Sequence, residues 1–136
     1  MSTTLDELEL SIQEVTRVTG TTSRTLRHYD RLGLLRPSRV GAGGLRWYGP
    51  AELLRLQRIL VLRSLGLSLS VIGRVLDDDE DEADALRRHL DELRAEQQRI
   101  ERQMHSVRRT ITALDQGGPI MAEEMFDGFD HTEYKD

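Results

Sequence analysis

The stretch RTLRHYDRLGLLRPS, residues 24–38, holds four arginines in fifteen residues, yet the 136-residue chain has a formal net charge of −5. At about 100° per residue its first half reads as a two-faced helix. Arg24, Arg27, His28 and Arg31 stand at i, i+3, i+4 and i+7 on one side, while Thr22, Leu26 and Tyr29 lie opposite. Gly33 ends the helix near Leu32, and Pro37 forbids its continuation. A solvated helix face ordinarily mixes signs, but this one carries no acid, because Asp30 sits to the side. Such a face suits a polyanion better than bulk water alone.

Upstream, Ser11 and Glu14 have the spacing of a capping box, in which each side chain satisfies an orphan donor at a helix start. A short helix is expected over residues 12–18, with Ile12, Val15 and Val18 or Thr19 as its apolar stripe and Gly20 as its stop. Thr21, Thr22 and Ser23 supply the next N-cap. Two short helices joined by a glycine-containing turn have the outline of a helix-turn-helix.

Downstream, Gly41, Gly43 and Gly44 permit a reversal before LRWY, which alternates as a strand does. The economical reading is a two-stranded hairpin with Leu45 and Trp47 on one face and Arg46 and Tyr48 on the other. A guanidinium beside a phenol makes a reasonable pair of phosphate-oxygen donors. The plainer alternative is a surface loop with a buried Trp47. Gly49-Pro50 then opens a third helix. Leu53, Leu56 and Leu60 form its stripe, Arg55, Arg58 and Arg63 are interleaved, and Gly66 closes it. Ser68 can cap a fourth helix bearing Leu69, Val71, Ile72 and Val75.

DDDEDEAD, residues 77–84, has seven acids in eight residues. It reads either as an acidic linker or as the negative start of a helix, where carboxylates favour the positive dipole end. A long helix is expected over residues 83–114. Its seam is Leu86, Leu90, Leu93, Gln97, Ile100, Met104, Val107, Ile111 and Leu114, in alternating steps of four and three. Eight of these nine positions are apolar, which is a coiled-coil pattern, and a single polar seam residue such as Gln97 can fix register. At about 1.5 Å per residue the helix is roughly 48 Å long. A domain of some 65 residues cannot cover it, so a partner helix is required, most simply from a second copy.

The net charge averages over opposites. Residues 11–75 hold eleven arginines against Glu14, Asp30 and Glu52, a balance of +8; residues 76–136 hold eight bases and eighteen acids, a balance of −10. A basic module is thus joined to an acidic one. Cysteine is absent, which excludes disulfides, thiolate metal sites and cysteine nucleophiles. The histidines at 28, 89, 105 and 131 form no ligand cluster in sequence, and no nucleophile motif or phosphate loop occurs. An enzyme is therefore not expected, and neither a cofactor nor a metal. The acidic opening is unlike a signal peptide, and no apolar run is long enough to span a bilayer. A soluble cytoplasmic protein, nucleoid-associated if it binds DNA, is the expectation.

Taken together, SIQEVTRVTGTTSRTLRHYDRLGLLRPSR, LRWY and LLRLQRILVLRSLGLSLSVI resemble the DNA-binding domain of MerR-type transcriptional regulators over about residues 10–76. The carriers are Arg27, His28, Tyr29, Asp30, Gly33, Leu34, Leu35 and Pro37, with the wing Arg46–Tyr48 and the run from Leu62 to Gly66. His28 departs from the tyrosine more usual there. The resemblance implies a mostly α fold: a winged helix-turn-helix of four short helices with a small hairpin wing at residues 10–77. A dimerisation helix at 81–116 would then form an antiparallel coiled coil. It implies a homodimer on double-stranded promoter DNA that activates by distorting an over-long spacer for RNA polymerase, with no membrane involvement. Ser23, Arg24, Arg27 and His28 would address bases or nearby phosphates, and Arg46, Tyr48 and Arg63 phosphates. Tyr29 matches a position near DNA, while its helix face places it in the core. Arg31, Arg36, Arg39, Arg55 and Arg58 have the plainer reading of solvated charges.

The tail segment EEMFDGFDHTEY resembles the first residues of the effector domain of thiostrepton-induced TipA-type regulators. Residues 117–136 would then open an effector-binding domain whose ligand pocket is not contained here. Induction by a drug or antimicrobial peptide is the corresponding expectation. The competing readings are a drug-sequestering resistance protein with DNA binding secondary, and an architectural, excisionase-like DNA binder, which would lack the long seam.

Overall fold

The computed structural model describes residues 8–117, so the effector-domain expectation for the tail lies outside the described residues. The chain divides into two compact units, one ending at Ala85 and the other beginning at Leu86. The expected boundary at 77–81 falls short of this division by the first turn of the long helix, where Ala85 is buried.

The first unit starts with β1 (Leu10–Ser11) and α1 (Ile12–Thr19). The capping box forms as its spacing predicts: Glu14 N–H donates to Ser11 Oγ at 3.3 Å and Ser11 N–H to Glu14 Oε1 at 3.0 Å. Donation from the Ser11 backbone N–H, and then from the Ser11 hydroxyl, holds the Glu14 carboxyl below the usual carboxylate range. Ile12 and Val15 are buried, but Val18 is 69% exposed and does not belong to the stripe. At about 100° per residue Val18 stands roughly 120° round the helix from Ile12, off the buried side. Gly20 ends α1 at φ 74°, its N–H donating to Thr16 O.

Helix α2 (Ser23–Arg31) is capped by Thr22, whose hydroxyl accepts from Thr25 N–H. It buries Leu26 and Tyr29. Gly33, at φ 71°, reverses the chain so that Leu34 and Leu35 donate to the Tyr29 carbonyl and drop into the core. Positive φ costs glycine little, which explains the stop at this position.

The expected two-stranded hairpin is a three-stranded antiparallel sheet, ordered β1-β3-β2. Strand β2 (Arg39–Val40) and β3 (Arg46–Tyr48) form the wing, with Arg39 opposite Trp47 and Val40 opposite Arg46. β1 pairs on the other edge of β3, with Leu10 opposite Tyr48. A two-residue strand against a helix cap has too few residues to show a period of two.

Helix α3 (Pro50–Ser64) buries Leu56, Ile59 and Leu62, while Leu53 and Leu60 are only half-buried. The buried stripe is therefore rotated by about one residue from the expected one. Helix α4 (Leu69–Leu76), capped by Ser68, buries Ile72 and Val75. The acidic run is no simple linker. It closes α4, with the N–H groups of Asp77, Asp78 and Asp79 donating to the carbonyls of Gly73, Val75 and Arg74, and then starts α5 (Glu82–Asp115), where Asp81 Oδ2 accepts from Asp84 N–H at 3.1 Å.

Candidate nucleic-acid interface

The outer face of α2 carries the side chains that its periodicity assigns to it. Arg24, Arg27, His28 and Arg31 are all exposed, and Ser23 is half-exposed at the first helical residue. His28 Nδ1 lies 3.5 Å from an Arg31 guanidinium nitrogen. Among the described residues, neither Arg24 nor Arg27 has an acidic partner, and no acid occupies the first turn. The face can therefore offer unneutralised guanidinium groups on one rigid helix, the arrangement needed for bidentate approach to guanine edges or to phosphates.

Tyr29 is a core residue, 1% exposed. Of its two sequence readings the packed one holds, yet its hydroxyl reaches the rim and accepts from Arg63 Nη1 at 3.3 Å. Arg63 is exposed in the last turn of α3. Tyr48, expected as a phosphate donor on the wing, is fully buried. Alternation along β3 is as expected, but the face shared by Arg46 and Tyr48 is the one turned toward the core, and Trp47 is only half-buried. Three strand residues cannot reveal which of their two faces is inward. Burial raises the Tyr48 hydroxyl pKa, with Arg46, Asp30 and Arg27 near enough to act on it. A phenol so placed cannot meet a phosphate without repacking.

Arg46 does reach the surface in part. Its Nε donates to Asp30 Oδ2 at 3.1 Å, and both side chains are about a quarter exposed, 27% and 25%. Asp30 is the site residue that charge periodicity passed over, because it falls beside the arginine face. Its isolation among so few acids was the available signal. Arg39 has a separate employment: its guanidinium stacks over Trp47 at 4.6 Å and pairs with Glu9 at 2.7 Å.

In the second unit the seam stands out from the helix. Leu90, Leu93, Ile100, Met104, Val107, Ile111 and Leu114 are 43–68% exposed, Gln97 is exposed, and Leu86 is half-buried. Ile100, Met104 and Val107 line a shallow apolar depression with Gln103 and Arg108. Among the described residues no group of three or more His, Cys, Asp or Glu is placed to hold a metal ion, and no helix is long and apolar enough to cross a membrane.

A basic recognition helix set on a second helix, flanked by a β-wing and followed by a long helix, defines a winged helix-turn-helix regulator. The chain belongs to the MerR family: residues 10–79 match the MerR HTH family regulatory protein profile and residues 53–116 the MerR DNA-binding profile. It is 39% identical over 121 residues to the HTH-type transcriptional regulator SkgA of Caulobacter vibrioides, covering 88% of this chain and 48% of that protein. It is 37% identical over 123 residues to the HTH-type transcriptional activator TipA of Streptomyces coelicolor, covering 90% and 49%. The chain thus spans about half the length of these curated relatives. The crystal structure of MtaN, the N-terminus of the Bacillus subtilis multidrug transporter activator, superposes with a TM-score of 0.70 at 34% identity, over 75% of this chain and 97% of that one. These relatives are transcriptional regulators, not enzymes.

Proposed function

We propose that this chain is the DNA-binding and dimer-forming part of a transcriptional activator of the TipA type. The observation that carries the reading is the acid-free outer face of α2, with Arg24 and Arg27 exposed and unpaired among the described residues. Two copies joined along the α5 seam present two such helices to successive major grooves of a promoter. Arg46 and Arg63 hold the flanking phosphates. Bending and untwisting a spacer costs on the order of 1–6 kcal/mol, which added phosphate contacts offset. The distorted promoter is then presented to RNA polymerase. The names of the relatives, a TipA activator and a multidrug transporter activator, support control by a drug or antimicrobial peptide acting through a further domain. The site of action is the bacterial cytoplasm.

Support for the homodimer comes from the exposed seam. Met104→Asp places a carboxylate in its apolar depression and should convert a dimer to a monomer on sizing; an unchanged dimer overturns the seam assignment. Affinity for a duplex enriched from a random pool should fall steeply as salt rises, through release of phosphate counterions. A flat salt dependence, or no duplex enriched, overturns DNA binding through the arginine face.

A further inference from the structure

We propose that the adjacent pair Tyr29 and Asp30 is a clasp that positions two flanking arginines, Arg63 of α3 and Arg46 of the wing, for phosphate binding. The inference rests on the DNA-binding reading above and adds to it the residues that act without touching DNA. Tyr29 and Asp30 belong to the recognition helix, yet neither shares its outer face. Each hands a hydrogen-bond acceptor to an arginine from a different element, Tyr29 Oη to Arg63 on α3 and Asp30 Oδ2 to Arg46 on β3. One two-residue step of α2 therefore fixes the cations on both flanks of the helix.

The bonds leave the cations usable. A guanidinium has five N–H donors, and each clasp consumes one: Nε of Arg46 and one Nη1 hydrogen of Arg63. Donors on both terminal nitrogens remain for a phosphate. Arginine loses considerable rotamer freedom when it binds, and a side chain already held in place loses less at that moment. The two arms differ in charge. The Tyr29 hydroxyl is neutral and leaves Arg63 its full positive charge. Asp30 partly offsets Arg46, and at about a quarter exposure water screens that pair only in part. Tyr29 is anchored by burial of its ring, so its hydroxyl position is set by the core rather than by the surface. A shift of α2 in the groove would carry both phosphate grips with it.

The plainer alternative is that these bonds brace the fold, or that Asp30 competes with phosphate for Arg46. The test uses the full chain and a duplex enriched from a random pool by the wild type. Tyr29→Phe keeps the ring and removes the hydroxyl. It should weaken binding about three- to tenfold, lower the slope of log affinity against log salt by up to about 0.9, and leave the melting temperature nearly unchanged. In an Arg63→Ala background it should cause no further loss. Asp30→Ala should behave the same way toward Arg46→Ala, and Asp30→Asn, which retains an oxygen acceptor, should recover part of the affinity. Losses that add fully to those of the arginine variants, or an unchanged salt slope, overturn the clasp. Tighter binding by Asp30→Ala overturns it in favour of competition. If Arg63→Ala and Arg46→Ala themselves leave binding unchanged, the phosphate-gripping reading fails first and the clasp with it.

Discussion

Helices α2 and α3 each carry three arginines, and the structure treats Arg24 and Arg27 of the first differently from Arg55 and Arg58 of the second. On α2, Arg24 and Arg27 have no acidic partner among the described residues. On α3, Arg55 donates to the Leu34 carbonyl at 2.7 Å and to Asp77 at 3.0 Å, and Arg58 pairs with Glu82. On α4, Arg74 pairs with Glu80 at 3.2 Å. The acidic run is the reason for the contrast: it follows α4 closely enough to neutralise Arg55 and Arg58 of α3 and Arg74 of α4. Within the recognition helix Asp30 is the one acid, and it is taken by Arg46. Spacing along a helix thus gives a cation's direction, while its role depends on which acids the tertiary fold brings to it.

Three substitutions can break or sharpen this contrast. The largest effect on DNA should come from Arg27→Ala, a loss of roughly 1–3 kcal/mol in operator affinity if the side chain reads a base, with little change in melting temperature. Unchanged affinity in a titration would remove Arg27 from the interface. Arg55→Ala should act the other way round. It deprives a part-buried carbonyl of its donor and should lower stability by about 1–2 kcal/mol in denaturant melts, while DNA affinity stays near wild type in the folded range. A large affinity loss without destabilisation would place Arg55 with the α2 arginines. Arg58→Ala should do least. Its pair with Glu82 is about half exposed on both sides, and such pairs contribute about 0–1 kcal/mol. Loss of DNA binding in that variant would mean that the acidic run does not take Arg58 out of the interface.

Much of the fold is legible in the residues because its elements are bounded by local chemistry. Ser11 with Glu14, Thr22, Ser68 and the glycines at 20, 33 and 66 set helix ends through short-range bonds and positive φ, which a sequence shows directly. The two faces of α2 are legible for the same reason. What escapes is set by long-range contact. Strand β1 exists because β3 offers it an edge, Tyr48 is buried because β3 turns that face inward, and Asp30 matters because Arg46 arrives from sixteen residues away. The seam of α5 lies between these cases. Its period is plain in the sequence, and its exposure on the single chain agrees with it.

The acidic run has one further property. Asp78 adopts φ 60°, the only positive φ at a non-glycine among the described residues. Aspartate visits that region more readily than glutamate or β-branched residues do. The run is therefore not a tract in which composition suffices and order is free. Exchanging Asp78 for glutamate would preserve every charge and still strain the backbone, whereas the same exchange at exposed Asp79 would not meet that conformational demand. Tolerance to mutation should accordingly vary from one acid to the next, in a segment whose composition alone suggests uniformity.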